Sequence, residues 1–108
     1  MKITVLGGGH GSYAAAAALT DQGHEVFFWR RDQAAFAEFL FTKILTLLDE
    51  KGERNVNIAH AGCDLALAVK DAQLIVIPLP ATSHFELATQ LAPCLQDGQV
   101  VYLPPGSF

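Results

Sequence analysis

Six residues near the amino terminus constrain the chain more than any others: Gly7-Gly8-Gly9-His10-Gly11-Ser12. Before them stands Lys2-Ile3-Thr4-Val5-Leu6, whose β-branched residues suit a buried strand. After them come Tyr13 and five alanines, Ala14 to Ala18, which favour a helix. A strand that ends in a glycine turn and restarts at once as a helix is the opening of a β-α-β unit. The next strand can then pair only in parallel, because the helix has carried the chain back across the sheet.

The alternation continues along the chain. The first strand is expected at Ile3 to Leu6 and the first helix at Gly11 to Gln22, with Gly23 stopping it in the left-handed conformation. Glu25 to Trp29 reads as the second strand. Asp32 can cap a second helix, in which Phe36, Phe39, Leu40, Ile44, Leu47 and Leu48 recur at helical spacing. That helix should fade near Lys51-Gly52, with Glu53-Arg54-Asn55 as a polar link. Val56 and Ile58 alternate with Asn57 and Ala59, which predicts a short third strand near the sheet edge. Asp64 caps a brief helix that turns Leu65, Ala68 and Val69 inward. Leu74 to Ile77 is the clearest strand, and Pro78-Leu79-Pro80 ends it. Ser83-x-x-Glu86 is a capping box for a further helix that closes near Pro93. Asp97-Gly98 leads into a fifth strand, Gln99 to Leu103, ended by Pro104-Pro105-Gly106.

This pattern predicts a single α/β domain over residues 1–108: a Rossmann-type doubly wound parallel sheet of about five strands, in the order 3-2-1-4-5, with helices on both faces. Gly7, Arg30, Pro78 and Pro104 then fall along the carboxyl edge of the sheet, where ligands bind in such folds. Half the residues are apolar (51%) and the net charge is −4, so a folded core is expected and a nucleic-acid partner is not. No apolar run approaches the roughly 18 residues of a membrane span, and the chain enters a strand directly, without a signal-peptide layout. Cys63 and Cys94 fit no metal or redox spacing and read as buried thiols in a reducing, cytoplasmic setting.

At the glycine turn, Gly7 permits the bend and Gly9 lets a pyrophosphate approach the backbone. Ser12 stands where a third glycine is usual, and Gly11 keeps the turn bare. The open N–H groups of the following helix, Tyr13 among its first residues, then hold phosphates. His10 either sits over the phosphates or ribose or is a solvated loop residue. Arg30 comes 19 residues after Gly11, where NAD-binding domains carry an acid for the ribose 2′-hydroxyl. An arginine there suits a 2′-phosphate, so Arg30 and Arg31 lean towards NADP, with NAD possible. The alternatives are that they stack on the adenine or pair with Asp32, or that Asp32 is itself the acid. Pro78, Leu79 and Pro80 should pass beneath the nicotinamide ribose. His24 and His60 read as solvated turn residues, and His84 as a first-turn helix residue with a weak claim to catalysis. No metal cluster, Ser/His/Asp set or paired carboxylate stands out.

These residues resemble a known superfamily. Val5-Leu6-Gly7-Gly8-Gly9-His10-Gly11 with its alanine-rich helix, then Gly23-His24-Glu25-Val26 and Trp29-Arg30-Arg31, are similar to the N-terminal domain of the glycerol-3-phosphate dehydrogenase and opine dehydrogenase superfamily. The run Asp64 to Ala72, Leu74 to Ile77, Pro80-Ala81-x-x-His84, Leu91-Ala92-Pro93, Asp97 to Val101 and Pro105-Gly106 is similar to opine dehydrogenases in particular. Ser12 and the stretch Phe36 to Asn55 depart from the pattern. The resemblance implies an NAD(P)-dependent oxidoreductase that joins an amino acid to an α-keto acid and reduces the imine with hydride. Carbonyl reduction of the glycerol-3-phosphate dehydrogenase or ketopantoate reductase type, or NAD(P) binding without turnover, are the alternatives. It also implies a following helical domain with the catalytic His/Asp pair, so no catalytic residue is expected in these 108 residues, and a homodimer in the full-length protein.

Overall fold

A computed structural model describes residues 1–7, 10–30, 43–50, 52–77 and 89–102. Its centre is a five-stranded sheet built from β1 (Lys2–Leu6), β2 (Glu25–Trp29), β5 (His60–Gly62), β6 (Leu74–Val76) and β7 (Val100–Tyr102). Their order is β5-β2-β1-β6-β7, and every neighbouring pair is parallel. Counted along the chain, this is the expected 3-2-1-4-5 order. β1 lies in the middle because both of its faces are apolar. Ile3 and Val5 pack with Ala16, Val26 and Phe28 on one side, while Leu6 packs with Trp29, Val69 and Ile75 on the other. A residue of β1 therefore belongs to one of two cores according to its parity, which is the mark of a sheet covered on both faces.

Helix α1 (His10–Asp21) covers the first face. Its alanines let it lie close: Ala16 and Ala17 are buried, and so is Ser12. The helix ends as expected. Gly23 sits at φ +98°, its N–H bonds to the Thr20 carbonyl, and the His24 N–H bonds to Leu19. Helix α2 (Leu65–Val69) covers part of the second face. Asp64 caps it by accepting from the Leu67 N–H at 3.2 Å, and Ala68 and Val69 face the core. Residues 89–91 are helical and pass into a 3₁₀ turn at Ala92–Cys94 that contains Pro93.

Four expectations fail between residues 43 and 62. The second helix was expected to continue through Ile44, Leu47 and Leu48, yet Ile44–Asp49 is strand β3. It pairs antiparallel with β4 (Gly52–Asn57), in register from Ile44 opposite Asn57 to Asp49 opposite Gly52. Glu53-Arg54-Asn55 is consequently part of a strand and not a link. Around Ile44 the pattern has period two: Ile44 and Thr46 are exposed and Leu45 is half-buried, while Arg54, Val56 and Ile58 turn inward between exposed neighbours. Three apolar residues, Ile44, Leu47 and Leu48, matched a helix only because so short an apolar run is compatible with either spacing. The Ile58 N–H closes the hairpin onto the Lys43 carbonyl at 2.7 Å. The positions Asp32, Phe36, Phe39 and Leu40 lie outside the described residues.

The hairpin is a separate two-stranded sheet that rests on α1, where Arg54 pairs with Asp21. The edge strand of the main sheet is accordingly not Val56–Ile58 but His60–Gly62, paired with Phe27 to Trp29 of β2. His60 thus lies in a strand and not in a turn. It stacks on Phe27 and meets Glu25 Oε2 at 3.5 Å. Cys63 and Cys94 form no disulfide and are half-buried, less enclosed than expected.

Candidate dinucleotide site

The carboxyl ends of β1, β2 and β5 meet at one edge of the sheet. Leu6 stands opposite Trp29, and Trp29 opposite Gly62. The ladder continues one step past the strands: the Gly7 N–H bonds to the Trp29 carbonyl at 3.0 Å, and the Arg30 N–H bonds to the Gly62 carbonyl at 3.3 Å. Gly7 then leaves the sheet at φ +152°, a value that glycine reaches without steric cost, and is buried as it does so. Three residues later α1 begins, so its open N–H groups and positive dipole end lie at this same edge.

Two side chains of the first helical turn lie at this edge. Ser12 is fully buried, and its hydroxyl has no hydrogen-bond partner among the described residues. A serine fits where a third glycine is usual because the space between α1 and the sheet admits one small side chain. Its unmade bond, beside the open N–H groups of the helix start, is chemistry that suits an anion seated there. Tyr13 is half-buried, with its ring edge-on to Phe28 at 4.9 Å and 87°. Its hydroxyl accepts a 3.0 Å hydrogen bond from the Arg30 guanidinium. The pairing ties the tip of β2 to the start of α1 and draws the cation of Arg30 towards the glycine turn. The guanidinium has five N–H donors in a planar fork, and the tyrosine takes one of them.

Among the expected site residues, Gly7, Gly11, Ser12, Tyr13 and Arg30 are brought to one edge. His10 opens α1, and its side chain lies outside the described residues. Gly9, Arg31, Pro78, Leu79 and Pro80 also lie outside them, as does His84. Two contributors escaped the sequence reading. Phe28 supports the Tyr13 ring, and Gly62 holds the Arg30 backbone. The first had a signal in the alternation of β2, which puts Val26 and Phe28 on the α1 face; the second had none, because the position of β5 was misread. Among the described residues, no group of three or more His, Cys, Asp and Glu side chains is placed to hold a metal, and no helix is long and apolar enough to cross a membrane.

A parallel sheet in this order, with a glycine turn and a helix start at the carboxyl end of its central strand, defines a dinucleotide-binding domain of the Rossmann type. Its family follows from comparison with known proteins. Residues 2–103 match the family described as NAD-dependent glycerol-3-phosphate dehydrogenase N-terminus, and the chain belongs to that family. It is 34% identical over 106 residues to an opine dehydrogenase of Arthrobacter sp. (strain 1C), covering 95% of this chain and 29% of the relative. It is 29% identical over 103 residues to a glycerol-3-phosphate dehydrogenase [NAD(P)+] of Teredinibacter turnerae, covering 94% and 29%. The chain therefore spans 29% of the length of these relatives. Among solved structures, octopine dehydrogenase with NADH and L-arginine superposes with a TM-score of 0.83 at 22% identity, over 97% of this chain and 28% of that one. At that identity the likeness speaks for the fold.

Proposed function

We propose that this chain is the cofactor-holding part of an opine-type dehydrogenase and that it prefers NADP(H) to NAD(H). The observation that carries the cofactor preference is Arg30, a cation at the tip of β2 held towards the glycine turn by Tyr13. In NAD-specific domains an acid at this place takes the ribose 2′-hydroxyl; an arginine takes a 2′-phosphate through its planar fork. The start of α1 and Ser12 hold the pyrophosphate, with Gly9 giving it close approach. Arg31 adds a second cation, and Pro78, Leu79 and Pro80 line the nicotinamide ribose. The bound cofactor supplies hydride from C4 of the nicotinamide. The residues of this chain position and neutralise it, and the groups that bind substrate and move protons belong to a following helical domain. The opine relative supports an amino acid and an α-keto acid as substrates, joined as an imine that is reduced in a homodimeric, cytoplasmic enzyme.

Titration with NADPH and NADH, read by nicotinamide fluorescence and by thermal shift, tests the cofactor assignment. Arg30→Ala is expected to weaken NADPH roughly ten- to hundredfold, the equivalent of one or two charge-assisted hydrogen bonds, and NADH only a few-fold. Equal losses for both cofactors overturn it. A second reading, reduction of a carbonyl as in the glycerol-3-phosphate dehydrogenases, is favoured by the family match itself. Assaying the full-length enzyme with amino acid plus α-keto acid against a phosphorylated carbonyl substrate separates the two.

A further inference from the structure

The opposite edge of the sheet carries a cavity of about 310 Å³ that the cofactor reading does not use. It opens where α2 stops. With five residues, that helix covers only part of its face of the sheet, and the amino ends of β1, β2 and β5 run on beyond it. The floor is apolar, formed by Phe27 of β2 and by Ala68 and Ala72, with the exposed Leu67 side chain at the mouth. Thr4 does not contribute a free hydroxyl, because its Oγ1 donates to the Ala68 carbonyl and thereby pins the helix to β1.

The rim is charged, and the charges balance. Lys2 and Lys70 contribute two cations, Glu25 and Asp71 two anions, and His60 stands beside Glu25 with its ring stacked on Phe27. Asp71 also holds a left-handed backbone at φ +63°, an uncommon choice for a residue other than glycine, and one that an aspartate tolerates better than most. A single-sign ligand would leave two of the four formal charges unanswered, whereas a ligand carrying both signs answers each. An apolar body on the floor, with an ammonium and a carboxylate at the rim, fits the volume and the lining together.

We propose that this cavity binds a small zwitterion with one apolar group, the chemistry of an apolar α-amino acid. Its ammonium faces Glu25 and Asp71, its carboxylate faces Lys2 and Lys70, and its side chain lies on Phe27 and Ala68. The site is at the amino ends of the strands whose carboxyl ends meet the glycine turn, so a ligand here cannot reach the cofactor. It acts on the folded state of the domain as a whole, raising its stability by binding it in preference to the unfolded chain.

Heteronuclear NMR or calorimetric titration of the chain with L-leucine tests the assignment, with 4-methylpentanoate and isopentylamine as probes that keep the apolar group and lose one charge each. L-leucine is expected to saturate, with shifts confined to the amino ends of β1, β2 and β5 and to residues 67–72, and to bind at least about tenfold more tightly than either probe. Glu25→Gln and Lys70→Met, both at exposed positions, should each weaken it by about tenfold while leaving NADPH and NADH binding unchanged. Overturning results are an unsaturated titration, equal binding of all three compounds, or affinity that survives both substitutions. Because cofactor binding is measured in the same samples, failure at this cavity is distinguishable from failure at the glycine turn.

Discussion

The hydrogen bond between Arg30 and Tyr13 ties the tip of β2 to the start of α1, and Tyr13→Phe removes it while keeping the ring that lies edge-on to Phe28. The bond is 3.0 Å long, with a charged donor and a neutral acceptor, and both residues are half-buried. Water can therefore replace part of it, and the expected loss is about 0.5–1.5 kcal/mol rather than the larger figure for a fully buried charged group. For a domain of this size that corresponds to a fall in Tm of roughly 2–10 °C. Arg30→Met removes the same bond from the other side, so the double variant should lose less than the sum of the singles, with a coupling of at least about 0.5 kcal/mol. Urea unfolding of the four proteins, followed by circular dichroism, gives that coupling directly. The tether also pre-organises the guanidinium, so Tyr13→Phe should weaken NADPH several-fold and NADH little. Stability losses that add within about 0.3 kcal/mol refute the tether as an energetic link. Unchanged NADPH affinity refutes its role in holding the cation for the cofactor.

Two further predictions concern the supports of the sheet. Thr4 is 1% exposed and its hydroxyl is the donor to Ala68. Thr4→Val keeps the shape but strands a buried carbonyl, which should cost about 1–3 kcal/mol in urea unfolding, and an unchanged midpoint would show that the bond contributes nothing. The hairpin is tied to α1 by Arg54, whose Nε and Nη2 donate to the two carboxylate oxygens of Asp21. The side chains are 30% and 32% exposed, so Arg54→Met should cost only about 0.2–1 kcal/mol, with the difference shrinking as salt is raised from low ionic strength to 1 M. A cost that is insensitive to salt would mean that packing of the arginine stem, not charge, holds the hairpin.

Much of this domain was legible along the chain because its strongest signals are local. Lys2 to Gly23 encodes a strand, a bend and a helix with its stop. Each depends on the conformational preferences of the residues themselves: β-branching, the freedom of glycine, and the small volume of alanine. Asp64 capping α2 is equally local, and so is the alternation of apolar elements that calls for parallel strands, with the order 3-2-1-4-5 following from the Rossmann reading of the glycine turn. Residues 44–62 were misread for the opposite reason. Ile44 to Leu48 is compatible with a helix or a strand, and the choice was made by a partner, Gly52–Asn57, and by burial of Leu45 and Val56 beside α1. Once those residues were committed to a hairpin, the edge of the main sheet fell to His60–Gly62, a strand too short to announce itself.

The candidate site divides in the same way. Gly7, Ser12 and Arg30 could be named from spacing, since a turn, a helix start and a strand tip follow one another in sequence. That Arg30 reaches back to Tyr13, 17 residues earlier, could not, because the contact exists only after β2 has paired with β1 and brought its tip beside α1. The amino acid sequence by itself determined where the chain bends and which faces of its elements must be buried, because those are properties of single residues and their neighbours. Tertiary structure decided the hairpin, the edge strand and the position of the cation, because each is settled by burial and hydrogen bonds between residues that only the fold makes adjacent.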